Sequence, residues 1–274
     1  MNDVKPGDRP FRHAARGSVF DTMHRQLMGL DIDFEALDLT GVRPELLATA
    51  RREWQHRALT EFRSIQIMHR FLGEVLGAGD PIEVYAGAVD LVADEVRHTA
   101  LCVRLCEALG GRPLLPDKVE LVERPEYTKM PAPQRALISA ITMLAINETL
   151  SVGFVEDLAA RCQDPVVGAV LRATCEDEET HQDFGWDYIR MSLARFDTNG
   201  RRMAKKIAAQ ALEPHRRVVE PRLDDIPVTK QHLDAWPDEE QVRLGLFSPQ
   251  RQVLVWKKTY EEMVAPKLRE LDLF

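Results

Sequence analysis

Two short stretches of this chain carry nearly the same five residues, Asp94-Glu95-Val96-Arg97-His98 and Asp177-Glu178-Glu179-Thr180-His181. Each reads Asp-Glu-x-x-His, and each lies in a segment whose apolar residues recur at helical spacing. Residues three apart share a helix face, so Glu95 points with His98 and Glu178 with His181. A carboxylate and an imidazole converging from each of two helices begin a metal site. Any fold that uses both pentads must therefore bring two helix faces together in its interior.

The rest of the pattern supplies those helices. From Pro44 the sequence reads as helix to about Leu76, with Leu47, Trp54, Ala58, Glu61, Ile65, Met68 and Leu72 along one face and Gly77-Ala78-Gly79 as the stop. Asp80-Pro81 reads as an N-cap and first-turn proline, opening a second helix to about Leu109. A loop from Arg112 to about Pro133, rich in proline, is long enough to cross one end of a bundle. A third helix is expected from near Gln134 to about Cys162, and Asp164-Pro165 repeats the capping signal for a fourth, to about Arg195. Asn199-Gly200 then marks a break. Beyond it the chain reads as shorter helical pieces interrupted by Pro214, Pro221, Pro227, Pro237 and Pro249, closing with an amphipathic Arg251 to Leu271. No segment carries a sustained strand alternation. The expected fold is all-α, with an N-terminal arm (1–43), a four-helix body (44–195) and a helical C-terminal extension packed on it (196–274).

Two further carboxylates sit where they should not be left alone. Glu148 shares a stripe with Ile141, Leu144, Ala145, Val152 and Val155, and Glu61 lies among Ala58, Ile65 and Met68. An isolated charge there is costly, so each needs a partner. For Glu61, Arg57 is a competing partner. Each half of the body thus pairs a lone Glu with an Asp-Glu-x-x-His, and Glu61-x-x-Ser64 is echoed by Glu148-x-x-Ser151.

This arrangement resembles the ferritin-like di-iron carboxylate superfamily, over roughly Pro44 to Arg195, and its Asp-preceded motifs are similar to those of bacterial multicomponent monooxygenases and arylamine oxygenases. The resemblance implies a four-helix bundle with Glu61, Glu95, His98, Glu148, Glu178 and His181 as ligands to two iron ions, with manganese as the alternative. Four carboxylates balance the charge of a ferrous pair. Asp94 and Asp177, each one turn before a ligand His, are expected to accept the imidazole's other N–H. Ser64, Leu91, Cys102, Ala145, Ser151, Thr174, Cys175, Phe184, Gly185 and Tyr188 lie near the site; their small members either leave room for substrate or dioxygen or pack the helices tightly. Trp186 and Tyr188 are read as core aromatics, with electron relay as the other reading.

The implied activity is a dioxygen-activating oxidoreductase that hydroxylates, desaturates or N-oxidises a small organic substrate, with electrons from a ferredoxin-like donor protein. Alternatives are a ferroxidase or metal-handling protein, a dimanganese catalase and a tRNA hydroxylase. Departures from relatives narrow these. No CxxC pair follows the body as in rubrerythrins, and the chain is longer than a bacterioferritin subunit. Thr174 stands where arylamine oxygenases carry an additional His, Thr180 replaces an Arg frequent in the monooxygenases, and Glu61 stands where ribonucleotide reductase small subunits use Asp.

The bulk numbers are consistent with this reading. A net charge of −8 counts modestly against a nucleic-acid partner. Met1 to Arg16 has no apolar run, no stretch reaches the roughly 18 apolar residues expected of a membrane span, and Cys102, Cys106, Cys162 and Cys175 lack metal-finger spacing. The expected location is the cytoplasm. The final amphipathic helix serves either as a homodimer contact or as a cap on the body.

Overall fold

The computed structural model describes residues 8–29, 31–116, 121–224, 226 and 232–274. The first seven residues of the arm, part of the crossover loop and Pro227 lie outside them. The described chain is all-α apart from one two-residue ladder, in which Arg9–Pro10 pairs antiparallel with Leu114–Leu115 and ties the arm to the crossover.

Helix α1 spans Val19–Met28, α2 Pro44–Ala78 and α3 Ile82–Ala108. Helix α4 runs through Ala132–Ser139, a π-helical Ala140–Asn147 and Glu148–Arg161. Helix α5 spans Pro165–Leu193 and α6 Thr198–Asp224. Helix α7 joins Pro249–Thr259, a π-helical Tyr260–Val264 and Ala265–Glu270. Pro44 opens α2, and Gly79, at φ 69°, closes it with N–H bonds to Leu76 and Val75 carbonyls, a left-handed cap that glycine adopts without strain. The Asp164 carboxylate caps α5, accepting from Val166 and Val167 N–H at 3.0 Å each.

Four local expectations change. Asp80 does not cap α3; its carboxylate, almost fully buried, accepts from Tyr188 Oη at 2.8 Å and pairs with Arg195. Tertiary partners outbid the local backbone there. The third expected helix is interrupted by the π segment directly before Glu148, so the residues after it lie on a different face than a straight α-helix would give them. Asn199-Gly200 opens α6 rather than breaking it, with Gly200 N–H bonded to Asp197 at 2.9 Å. Pro214 and Pro221 sit inside α6, where the carbonyls they free, at Gln210 and Arg217, belong to exposed residues.

Short links fold α2 back on α3 and α4 back on α5, and the two hairpins meet along α3 and α5 and along α2 and the start of α4. At Gly185 an added Cβ would stand 2.4 Å from the Leu144 backbone, so α4 and α5 approach as closely as two backbones can. Helices α6 and α7 pack on α4. The extension is fixed by Arg251 on Asp157 at 2.6 Å, by Arg161 on Asp238, and by Trp54 Nε1 donating to the Leu244 carbonyl at 2.9 Å. By length and composition Ala132–Arg161 is apolar enough to cross a membrane, against the expectation of no such stretch. Here its apolar residues form core, and the helix carries Glu148.

The apolar interior falls into two clusters. One gathers Met68, Phe71, Leu91, Leu137, Ile141, Trp186 and Ile189; the other gathers Trp54, Leu101, Leu105, Leu158, Val167 and Val170. Along α2, α3 and α5 the candidate ligands fall between the stretches that feed the two clusters, and on α4 Glu148 stands near the end of one of them.

Candidate metal centre

All six candidate ligands meet in that polar layer. Glu95, His98, Glu148, Glu178 and His181 are buried, and Glu61 keeps 19% side-chain exposure. They form two groups, Glu61 with His98 and Glu178, and Glu95 with Glu148 and His181, each holding its three ligand atoms within 4.8 Å of one another. Both groups suit a metal ion. Ligand atoms around one ion at about 2.1 Å lie within about 4.2 Å of each other, so an ion would draw each group in slightly.

The contacts show how the groups join. His98 Nδ1 lies 3.9 Å from Glu61, 3.8 Å from Glu95 and 3.6 Å from Glu178. His181 Nδ1 lies 3.7 Å from Glu95 and 3.4 Å from Glu178. Glu95 and Glu178 therefore each face both imidazoles, while Glu61 stands on the His98 side and Glu148 groups with His181. Four buried atoms here have no hydrogen-bond partner: Glu95 Oε2, Glu178 Oε2, His98 Nδ1 and His181 Nδ1. A buried polar atom left unpaired costs about 1–3 kcal/mol. Four of them aimed into one space are what a cation pair would satisfy, and the donor set fits such a pair.

The outer nitrogens are held in a crossed pattern. Nε2 of His98 donates to Asp177 at 3.1 Å, and Nε2 of His181 donates to Asp94 at 3.2 Å. The aspartates hold histidines, as expected, but each serves the opposite pentad rather than its own. Within one helix, the carboxylate four residues ahead of the histidine is instead taken by Arg97, which pairs with both Asp94 and Asp177. Arg97 was not singled out by sequence, although its place inside the first pentad was a signal. Arg57, the competing partner for Glu61, turns away to the Gly245 carbonyl at 2.8 Å and lies over the Trp54 ring.

The electrostatics follow from crowding four carboxylates in a dry layer. Burial, reinforced by Glu95, pushes Glu61 up to about 8, and burial with the charge of Glu178 holds Glu148 well above the usual carboxylate range. Burial raises Glu178 too, but the imidazoles of His181 and His98 close beside it outweigh that and bring it to about 2. Burial lowers both imidazoles; the Asp177 bond still lifts His98 well above its ordinary value, and the Asp94 bond lifts His181 to about 9. The cluster balances its charge with protons, which are what metal ions displace on binding.

Several of the neighbours have packing or hydrogen-bond partners of their own. Leu91 and Ala145 belong to one apolar cluster and Cys102 to the other. Thr174 Oγ1 bonds back to the Val170 carbonyl at 3.1 Å, Cys175 Sγ lies 3.9 Å from Glu179, and Phe184 stands edge-on to Phe71. Gly185 is filled by the Leu144 backbone, and the Tyr188 hydroxyl is spent on Asp80. Ser64 and Ser151 are half-buried. Trp186 is core, with Nε1 donating to Thr149 at 2.9 Å. The four cysteines are buried and unpaired with one another. Glu74, on the same helix as Glu61, sits in a separate network with Tyr127 at 2.5 Å and Ser139 at 2.7 Å. Comparison with protein-family models, with curated proteins and with solved structures finds no match.

Proposed function

We propose that the chain is a ferritin-like four-helix di-iron protein that uses dioxygen to oxidise a small organic substrate. One observation carries this reading: four partnerless buried ligand atoms from two Glu-x-x-His pairs point into one space, completed by Glu61 and Glu148. Glu61, His98 and Glu178 on one side, and Glu95, Glu148 and His181 on the other, would hold the two ions. A bound iron pair supplies the redox chemistry toward dioxygen, with electrons from a ferredoxin-like donor. The chain's own part is to hold both Nδ1 lone pairs inward by fixing each Nε2–H on an aspartate. The apolar clusters on either side keep water from the layer.

Protein purified aerobically is expected to contain about two irons per chain. Glu148→Ala and Glu178→Ala should each abolish loading while the helical circular dichroism stays near wild type. Normal loading in both variants would show the ligand assignment to be wrong. Oxygen uptake that requires both a reductant and a small substrate supports the oxygenase.

A second reading, a ferroxidase without organic substrate, is favoured by the close packing at Gly185. Oxygen uptake driven by ferrous iron alone, unchanged by any substrate, selects it.

A further inference from the structure

We infer that Arg97 is the positioning residue for both halves of the metal centre, and that one guanidinium does for two histidines what the duplicated motif would assign to two. The inference rests on the metal-centre reading above and extends it to a residue that touches no ligand atom of the centre.

The geometry is a shared clamp. Arg97 Nε donates to Asp177 Oδ2 at 3.0 Å and Nη2 to Asp177 Oδ1 at 3.2 Å, a two-pronged contact; Nη2 also donates to Asp94 Oδ1. The remaining nitrogen, Nη1, donates to the Leu27 carbonyl at 3.4 Å, near the end of α1. Asp94 keeps Oδ2 for His181, while Asp177 Oδ2 accepts from both His98 and Arg97. Each imidazole is thus tied through an aspartate to the same cation.

The second pentad offers no substitute. Thr180 stands at the position matching Arg97, and it is exposed. The two halves match in their ligands and differ here, so the aspartates depend on one side chain from the first half. Two carboxylates reaching the same nitrogen repel each other, and a planar fork between them lets both stay aimed at their imidazoles. A lysine presents a single ammonium and cannot make the two-pronged contact while also reaching the second aspartate. The Leu27 bond adds that the N-terminal arm reaches the centre through this arginine.

The test uses the full-length protein with cobalt(II) as the probe, since its visible spectrum reports ligand geometry. Arg97→Met should weaken cobalt binding at both sites, by about ten- to hundredfold in chelator competition, and alter the spectrum, with helix content retained. Asp94→Asn should weaken only the site holding His181, and Asp177→Asn only the site holding His98. Wild-type affinity and spectrum in Arg97→Met, or loss confined to one site, overturns the inference.

If Arg97→Met does not fold, Arg97→Lys decides: one site should keep its affinity and the other lose it, and wild-type behaviour at both overturns the inference. The imidazole nitrogen signals of the metal-free protein give a readout independent of loading. Those of both His98 and His181 should move in the variant, and unmoved signals refute the assignment. A wild-type chain that takes up no cobalt would remove the metal reading, and the ring signals alone would then judge Arg97.

Discussion

At the scale of single residues, Asp157 shows how a half-buried carboxylate contributes to stability away from the candidate metal centre. Burial raises it, but hydrogen bonds from Arg251 and Arg161 outweigh that and hold it below its ordinary 3.8. Because the folded value lies under the unfolded one, its contribution is fully present above about pH 4 and fades as pH falls through the folded value. Asp157→Asn should therefore cost about 1–2 kcal/mol near neutral pH once solvent screening is allowed for, with the gap in melting temperature from wild type narrowing below pH 4. A gap that stays constant into acid would show that the charge is not the cause. Gly185 makes a steric prediction instead. Its missing Cβ would meet the Leu144 backbone, which cannot swing aside as a side chain can. Gly185→Ala should destabilise by about 1–3 kcal/mol in denaturant unfolding, and a neutral result would mean that α4 and α5 separate easily.

At the scale of elements, helix limits were legible wherever a local rule set them. Pro44, Gly79 and Asp164 mark the ends of α2 and the start of α5 as their chemistry dictates. What local rules missed was set by contacts. Asp80 had a capping residue's sequence context, yet Tyr188 and Arg195 claim its carboxylate. The π segment before Glu148 has no sequence marker that we can identify. Helix α6 runs through Pro214 and Pro221 because its outer side is open to water, which satisfies the freed carbonyls. Pro214 is then a local cost with no tertiary return among the hydrogen bonds described. Pro214→Ala should raise stability by about 1 kcal/mol or more, read as an increase in melting temperature; a decrease would show that the proline's bend is needed for packing on α4.

At the scale of the whole molecule, the polar layer lies between two apolar clusters, so its energetics bear on the entire fold. A ligand that binds only the folded chain stabilises it by about 2.7 kcal/mol at a hundredfold excess over its dissociation constant. Iron or cobalt should thus raise the melting temperature in proportion to the logarithm of metal concentration, and a chelator should reverse it. A melting temperature indifferent to metal would argue against the centre. The C-terminal extension contributes to the same body through Arg251, Leu244 and Gly245, which reach Asp157, Trp54 and Arg57 across long sequence separations.

The sequence by itself determined which side chains compose the candidate centre. The two Glu-x-x-His pairs, and the placement of Glu61 and Glu148 on apolar faces as further candidate ligands, follow from helix periodicity, which acts within a few turns of one segment. Only the tertiary structure decided the wiring. Which aspartate meets which histidine, and that one arginine meets both aspartates, depends on how α3 and α5 approach and rotate. That is fixed by the packing of two separate hydrophobic clusters rather than by any local rule. The repeated Asp-Glu-x-x-His placed each aspartate one turn before the histidine of its own pentad; packing crosses them, so that each aspartate holds the histidine of the other.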